Sequence, residues 1–166
     1  MTTVLIVHHS PSPVTAALSS FVLDAARSAA AEANEGLGLK GEHAVRIVER
    51  HPLDPELSAE QLAEEMIGAD AVIFGTTANF GYISGALKHY FDSTYMAARE
   101  QTAGKPVSWW IRGGYDTTGA AKAMRSLTTG FEMRVAAEPV EFTGEWEPHQ
   151  DELATMAQSL VGEALG

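Results

Sequence analysis

The stretch that decides the fold is VLIVHHSPSPVT, Val4–Thr15. Val4 to Val7 is an apolar run too short for an independent helix and rich in β-branched side chains, which suits a strand buried on both faces. It passes directly into Ser10, Pro11, Ser12, Pro13 and Thr15, and helical periodicity begins at once afterwards. A strand, a hydroxyl-rich turn and a helix start together form a phosphate-binding geometry. Unpaired backbone N–H groups and the positive end of the helix dipole converge there. Ser10, Ser12 and Thr15 are the candidate phosphate residues, and a phosphate-bearing cofactor is the expected ligand.

Outward from this point the chain alternates. Val14, Leu18, Phe21, Val22, Ala25 and Ala29 recur at helical spacing and stop at the glycine-rich Asn34–Gly38. Ala44 to Val48 reads as a second, less buried strand near an edge. Pro52 and Pro55 then exclude regular structure. Ser58 and Gln61 have capping-box spacing at the start of a helix with Leu62, Met66 and Ile67 on its apolar face, and Gly68 ends it. Ala71 to Gly75 is the next buried strand, followed by a loop, Thr76 to Tyr82, and a helix from Ser84 to about Arg99.

After the break at Gly104-Lys105-Pro106, Val107 to Ile111 forms a strand in which Trp109 and Trp110 must point to opposite faces. One ring is expected under a helix, the other at an interface. Arg112 to Gly119 is a polar, glycine-bearing loop before a helix over Ala120 to Thr129. Met133 to Ala137 and Val140 to Thr143 make a last strand, irregular at Glu138-Pro139, and a terminal helix starts near Gln150. Strand and helix alternate five times, which calls for a parallel sheet covered by helices on both sides. The expectation is a three-layer α/β/α sandwich in a single domain, 1–166.

Composition narrows the function. The chain has 166 residues, no cysteine and a net charge of −11 from 22 acidic and 11 basic residues. Disulfides, thiolate catalysis and cysteine-ligated metals are excluded. Nucleic acid is not expected as a partner, for want of clustered Lys and Arg. No apolar run approaches the roughly 20 residues that span a bilayer, so no membrane partner is expected and a cytoplasmic location is. His8 and His9 are neighbours in a strand and point opposite ways, with no third ligand nearby in sequence, so a metal is not expected.

In a parallel α/β sheet, ligands bind at the carboxyl ends of the strands. The loops at Ser10–Thr15, Thr76–Tyr82 and Arg112–Gly119 all follow strands and should meet on one edge. The first suits a phosphate. The second offers backbone polar groups and an aromatic ring to a flat heterocycle, and the glycines of the third allow close backbone approach. A phosphate plus a planar ring describes a nucleotide, with flavin mononucleotide (FMN) as the leading candidate. The Gly-x-Gly-x-x-Gly and P-loop patterns of dinucleotide folds and NTPases are absent.

Three segments, VLIVHHSPSPVTAAL, DAVIFGTTANFGYISGALKHYFDST and GKPVSWWIRGGYDTTG, resemble the flavodoxin-like superfamily, especially its NAD(P)H-dependent FMN reductase and quinone oxidoreductase branch. The middle segment carries most of the likeness, through Gly75, Thr76, Asn79, Gly81, Leu87, Lys88 and Asp92. The resemblance implies a five-stranded parallel sheet in the order 2-1-3-4-5 and FMN held noncovalently. It implies that Ser10, Ser12 and Thr15, with Val14 beside them, meet the phosphate. Thr76, Thr77, Ala78, Asn79, Phe80 and Gly81 would border the isoalloxazine ring, and Gly113, Gly114 and Tyr115 its far side. Thr77 replaces a proline usual in that family, and Ala78 a ring-packing residue.

The implied activity is transfer of electrons from NAD(P)H through FMN to a quinone or another small-molecule electron acceptor, in a homodimer or tetramer. No side-chain acid or base is required, because the flavin carries the chemistry. Two alternatives stay open: a flavodoxin-type one-electron carrier, and a flavodoxin-fold protein without cofactor that acts through protein contacts.

Overall fold

A computed structural model describes residues 1–166. The opening run becomes β1 (Thr2–His8), and Val4 to Val7 lie wholly out of solvent. Helix α1 (Pro13–Leu37) follows; Ser12 caps it, Pro13 occupies the first turn where a missing N–H costs nothing, and Gly38 ends it at φ 66°. The edge strand β2 (Val45–Arg50) is only partly buried, as its weak alternation predicts. Next come α2 (Ala59–Gly68), with the Ser58–Gln61 capping box formed in both directions, and β3 (Ala71–Asn79).

The second half contains β4 (Tyr82–Ile83), α3 (Gly85–Ala98), β5 (Pro106–Gly113), α4 (Thr118–Gly130), β6 (Arg134–Val135), β7 (Val140–Thr143) and α5 (Gln150–Leu165). The sheet order is β2-β1-β3-β5, continued by β6 and β7, which both pair in parallel with β5. These last two are the halves of one strand interrupted around Glu138-Pro139. Counted by position, the main strands keep the 2-1-3-4-5 order, and the fold is flavodoxin-like.

Two apolar layers hold the sandwich together. On one face Leu5, Val7, Phe74, Trp109 and Ile111 pack under α2, α3 and α4; on the other Val4, Ile6, Ile73 and Trp110 pack under α1 and α5. Successive strand residues alternate between these layers, so β1 must be apolar at every position from Val4 to Val7.

Two expectations need correction. Thr76 to Tyr82 is not a loop: β3 runs on to Asn79 and turns back antiparallel through β4, with Ala78 opposite Ile83 and Asn79 opposite Tyr82. Nor does either tryptophan face an interface, since Trp109 is 0% and Trp110 2% exposed. Trp110 lies over Gly75 of β3, where an added Cβ would come within 2.0 Å of its ring. Trp109 donates its indole N–H to Glu141 at 2.9 Å, which pairs a buried donor that would otherwise be costly.

Candidate functional site

Because β1, β3, β5 and β7 are mutually parallel, their carboxyl ends lie along one edge, and so do the segments that follow them. The first is the turn into α1. His8, nearly buried, lies 2.8 Å from the Ser10 hydroxyl through Nδ1 and 2.9 Å from Glu49 through Nε2. Ser10 is thereby held at the strand end. The Ser12 and Thr15 hydroxyls face each other at 2.8 Å; the Ser12 N–H donates to Thr15 Oγ1 and the Thr15 N–H to Ser12 Oγ. Both are therefore already engaged as a helix cap. Pro11 and Pro13 have no N–H, the His9 N–H is taken by the Gly75 carbonyl, and Ser10 and Val14 keep backbone N–H groups with no protein acceptor.

The second segment is the β3–β4 hairpin. Its tip is Phe80-Gly81, at φ 51° and 75°, and the Phe80 ring is fully exposed. Thr76 is buried and accepts the Ser84 N–H at 2.9 Å, which ties the hairpin's base to the start of α3. Thr77 donates to the Asn79 side chain at 2.9 Å. The third segment leaves β5 at Gly113, which stands opposite Ala78 in register. Any Cβ at Gly113 would come within 3.0 Å of the Asp116 carbonyl, so this position admits only glycine without displacing the loop. Gly114 is exposed and Tyr115 is 97% exposed. Asp116 accepts from the Thr118 N–H and hydroxyl, and those bonds hold its carboxyl below the usual carboxylate range.

The hairpin and this loop meet. Ala78, Phe80, Gly81, Tyr115 and Asp116 line an open cleft of about 310 Å³. Gly119, in the first turn of α4, lies so close to the Gly81 carbonyl that an added Cβ would fall 2.0 Å from it. The cleft thus gathers Ala78, Phe80, Gly81 and Tyr115 from the sequence's candidates for ring contact, while Ser10, Ser12, Val14 and Thr15 stand at the separate β1–α1 turn on the same edge. Sequence reasoning did not single out Asp116, Gly119 or Arg112 as site residues. The close approaches of Gly113 and Gly119 arise between separate segments, and only the glycines themselves could have signalled them.

A family model described as NADPH-dependent FMN reductase matches residues 2–147. The chain belongs to that family. Family membership makes it a flavin-dependent oxidoreductase. No curated protein sequence matches it. Among solved structures, an oxidoreductase from Corynebacterium diphtheriae is similar with a TM-score of 0.76 and 15% identity, covering 99% of this chain and 97% of that one. A WrbA-like flavodoxin from Agrobacterium tumefaciens gives 0.70 and 15%, with coverage of 99% and 98%. The flavodiiron protein of Giardia intestinalis gives 0.77 and 15%; this chain is covered to 99% but spans 36% of that one. At these identities the likeness establishes the shared flavodoxin-like fold.

The site fits the family's flavin in kind. Two free N–H groups at a helix start suit a phosphate, and a cleft walled by two exposed aromatic rings suits a planar heterocycle. No helix is long and apolar enough to cross a membrane.

Proposed function

We propose that the protein holds one FMN noncovalently at the carboxyl edge of its sheet and passes electrons from NAD(P)H to a small acceptor such as a quinone or a second flavin. The observation that carries this reading is the cleft of about 310 Å³ between the β3–β4 hairpin and the loop after β5. It is open to solvent, flanked by Phe80 and Tyr115, and on the same edge as the start of α1.

Bound FMN supplies hydride acceptance and electron release. The chain's own residues bind and orient it. The N–H groups of Ser10 and Val14, aided by the α1 dipole, would meet the phosphate, with Ser12 and Thr15 exchanging some of their mutual hydrogen bonds for it. Thr76 to Gly81 would border the ring on one side, and Gly113, Gly114 and Tyr115 on the other. Backbone N–H groups of the hairpin and the β5 loop would stabilise charge on the reduced ring. The exposed cleft would leave one ring face open to the nicotinamide and then to the acceptor. Assembly as a homodimer or tetramer belongs to the same proposal.

The test is the visible spectrum of the purified protein after incubation with FMN, before and after anaerobic addition of NADPH. Flavin absorbance that NADPH bleaches within seconds, and that a quinone restores, is the expected result. Flavin that NADPH leaves unbleached would assign a one-electron carrier instead. Failure to take up FMN would remove both readings.

A further inference from the structure

Glu49, His8 and Ser10 form a relay of two hydrogen bonds that runs from β2 across β1 to the turn before α1. Glu49 Oε1 lies 2.9 Å from His8 Nε2, and His8 Nδ1 lies 2.8 Å from Ser10 Oγ. The two ends of the relay differ in kind. An ionised carboxylate only accepts, so Nε2 carries a proton and donates it to Glu49. A hydroxyl both donates and accepts, so the state of Nδ1 decides which way the Ser10 proton points. In neutral His8 the one ring proton is on Nε2, and the Ser10 O–H is committed to the Nδ1 lone pair. In the imidazolium, Nδ1–H donates to Ser10 Oγ and the Ser10 proton is released.

The groups around His8 leave this relay intact. On β2, Glu49 is its direct partner, while Arg50 turns to the other face and bonds Glu65 of α2. On α1, Arg27 holds the second Glu49 oxygen at 3.6 Å and Asp24 at 3.7 Å, which keeps Glu49 an acceptor. β3 offers Gly75 in register with His8, and β5 the uncharged Trp110 ring at 5.9 Å. α5 turns Leu153, Met156 and Ala157 inward on this face, and its Glu152 pairs with His149. The next residue of β1's exit, His9, packs on His51, and all three histidines repel one another when charged.

Ser10 is also where the turn keeps a backbone N–H with no protein acceptor. With His8 protonated, Ser10 can present two donors to one phosphate, its N–H and its hydroxyl. With His8 neutral, the hydroxyl turns an oxygen lone pair toward the phosphate oxygens unless the 2.8 Å bond to Nδ1 breaks. Either course loses a hydrogen bond to a charged group.

We propose that His8 is a positioning residue that couples phosphate binding to proton uptake, so that the preference for FMN over riboflavin rises as pH falls. This rests on the FMN reading and deepens it by adding a regulation of the same site. The balance is one proton: solvent delivers it to His8 Nδ1, and the Ser10 proton turns from Nδ1 to a phosphate oxygen. His8 directs a donor; the backbone N–H groups of the turn hold the phosphate in either state.

Fluorescence titration with FMN and with riboflavin from about pH 8 to about pH 6, the range in which histidines titrate, tests it. In the wild type the FMN-to-riboflavin affinity ratio should rise by about tenfold over this range. Glu49→Gln separates the direction of the hydroxyl from the charge of the ring. Its amide can donate to Nε2, which lets neutral His8 carry its proton on Nδ1 and donate to Ser10 at every pH. The ratio of this variant should therefore stay near the wild type's low-pH value throughout. The phosphate's own second ionisation, near about pH 6, is common to all variants and cancels in the comparison. Profiles of the wild type and Glu49→Gln that coincide overturn the proposal, and so does a Glu49→Gln ratio below the wild type's at both ends, which would assign His8 a purely electrostatic role. If Glu49→Gln fails to fold by circular dichroism, His8→Asn decides: its amide also donates to Ser10, and a ratio that still climbs as in the wild type would refute the relay. Wild-type protein that takes up neither flavin sinks the FMN reading itself, whereas uptake of FMN with a flat ratio sinks this inference alone.

Discussion

His9 and His8 are neighbours in sequence and occupy different environments. His8 turns toward Ser10 and Glu49, while His9 packs edge-on against His51 with ring centroids 5.6 Å apart and a buried Nδ1 that has no partner. Burial, followed by repulsion from His51 and His8, lowers the His9 pKa from its ordinary 6.5. The unfolded chain therefore binds this proton more readily than the folded one, and stability must rise with pH across the interval. The contribution is complete above pH 6.5 and is lost as pH falls toward the lower folded value. Thermal melts at a series of pH values should show the wild type losing Tm more steeply below pH 6.5 than His9→Gln does. Parallel profiles would show that His9 carries no such linkage. Strand alternation made the opposed directions of the two histidines legible in the sequence; the partners at Glu49, the next-to-last residue of β2, and His51, just beyond it, were not.

At the scale of elements, the β3–β4 hairpin and the first turn of α4 form one unit through Gly119 and the Gly81 carbonyl. Gly119→Ala must push these two backbones apart, because neither side of the contact is a flexible side chain. It should cost about 1–3 kcal/mol of stability and weaken flavin binding by deforming the cleft. Gly162→Ala, in α5 with nothing within 4 Å of an added Cβ, should instead stabilise by about 0.5–1 kcal/mol through helix propensity. Urea unfolding of both variants, with FMN titration of each, checks the contrast; equal stability of the two would remove the claim that the contact is tight. The hairpin was illegible in the sequence for a physical reason. Two consecutive positive φ angles usually announce themselves as Asn-Gly or Asp-Gly, whereas this tip is Phe80-Gly81. A phenylalanine held left-handed costs about 1–2 kcal/mol, so only surrounding structure keeps it there. Elements with strong local signals, such as α2 with its capping box and the buried run of β1, were readable throughout. The site was readable as three loops, but which residues of each loop meet depends on register between strands, as Ala78 opposite Gly113 illustrates.

For the molecule as a whole, charge is the largest imbalance. Acidic residues number 22 and basic 11, so even complete pairing would leave half of the acids opposed only by solvent. Most ion pairs here are surface contacts such as Lys88–Asp92 and Arg134–Glu163, each worth about 0–1 kcal/mol. The exception is Arg50, whose guanidinium bonds both Glu65 and Asp54 and is only 23% exposed. Added salt therefore acts in two opposite directions: it weakens these attractions and screens the mutual repulsion of the unpaired acids. Raising ionic strength from about 0.01 M to about 0.15 M shortens the screening length from about 30 Å to about 8 Å. Short-range pairs survive that change better than repulsion summed across the surface does. The melting temperature of the flavin-free protein at pH 7 should consequently rise by a few degrees over this range, and Lys40→Gln, which adds to the net negative charge without breaking an ion pair, should make the rise steeper. A melting temperature that falls with salt would mean that the Arg50 pairs outweigh the global field, and Arg50→Gln would then flatten the dependence.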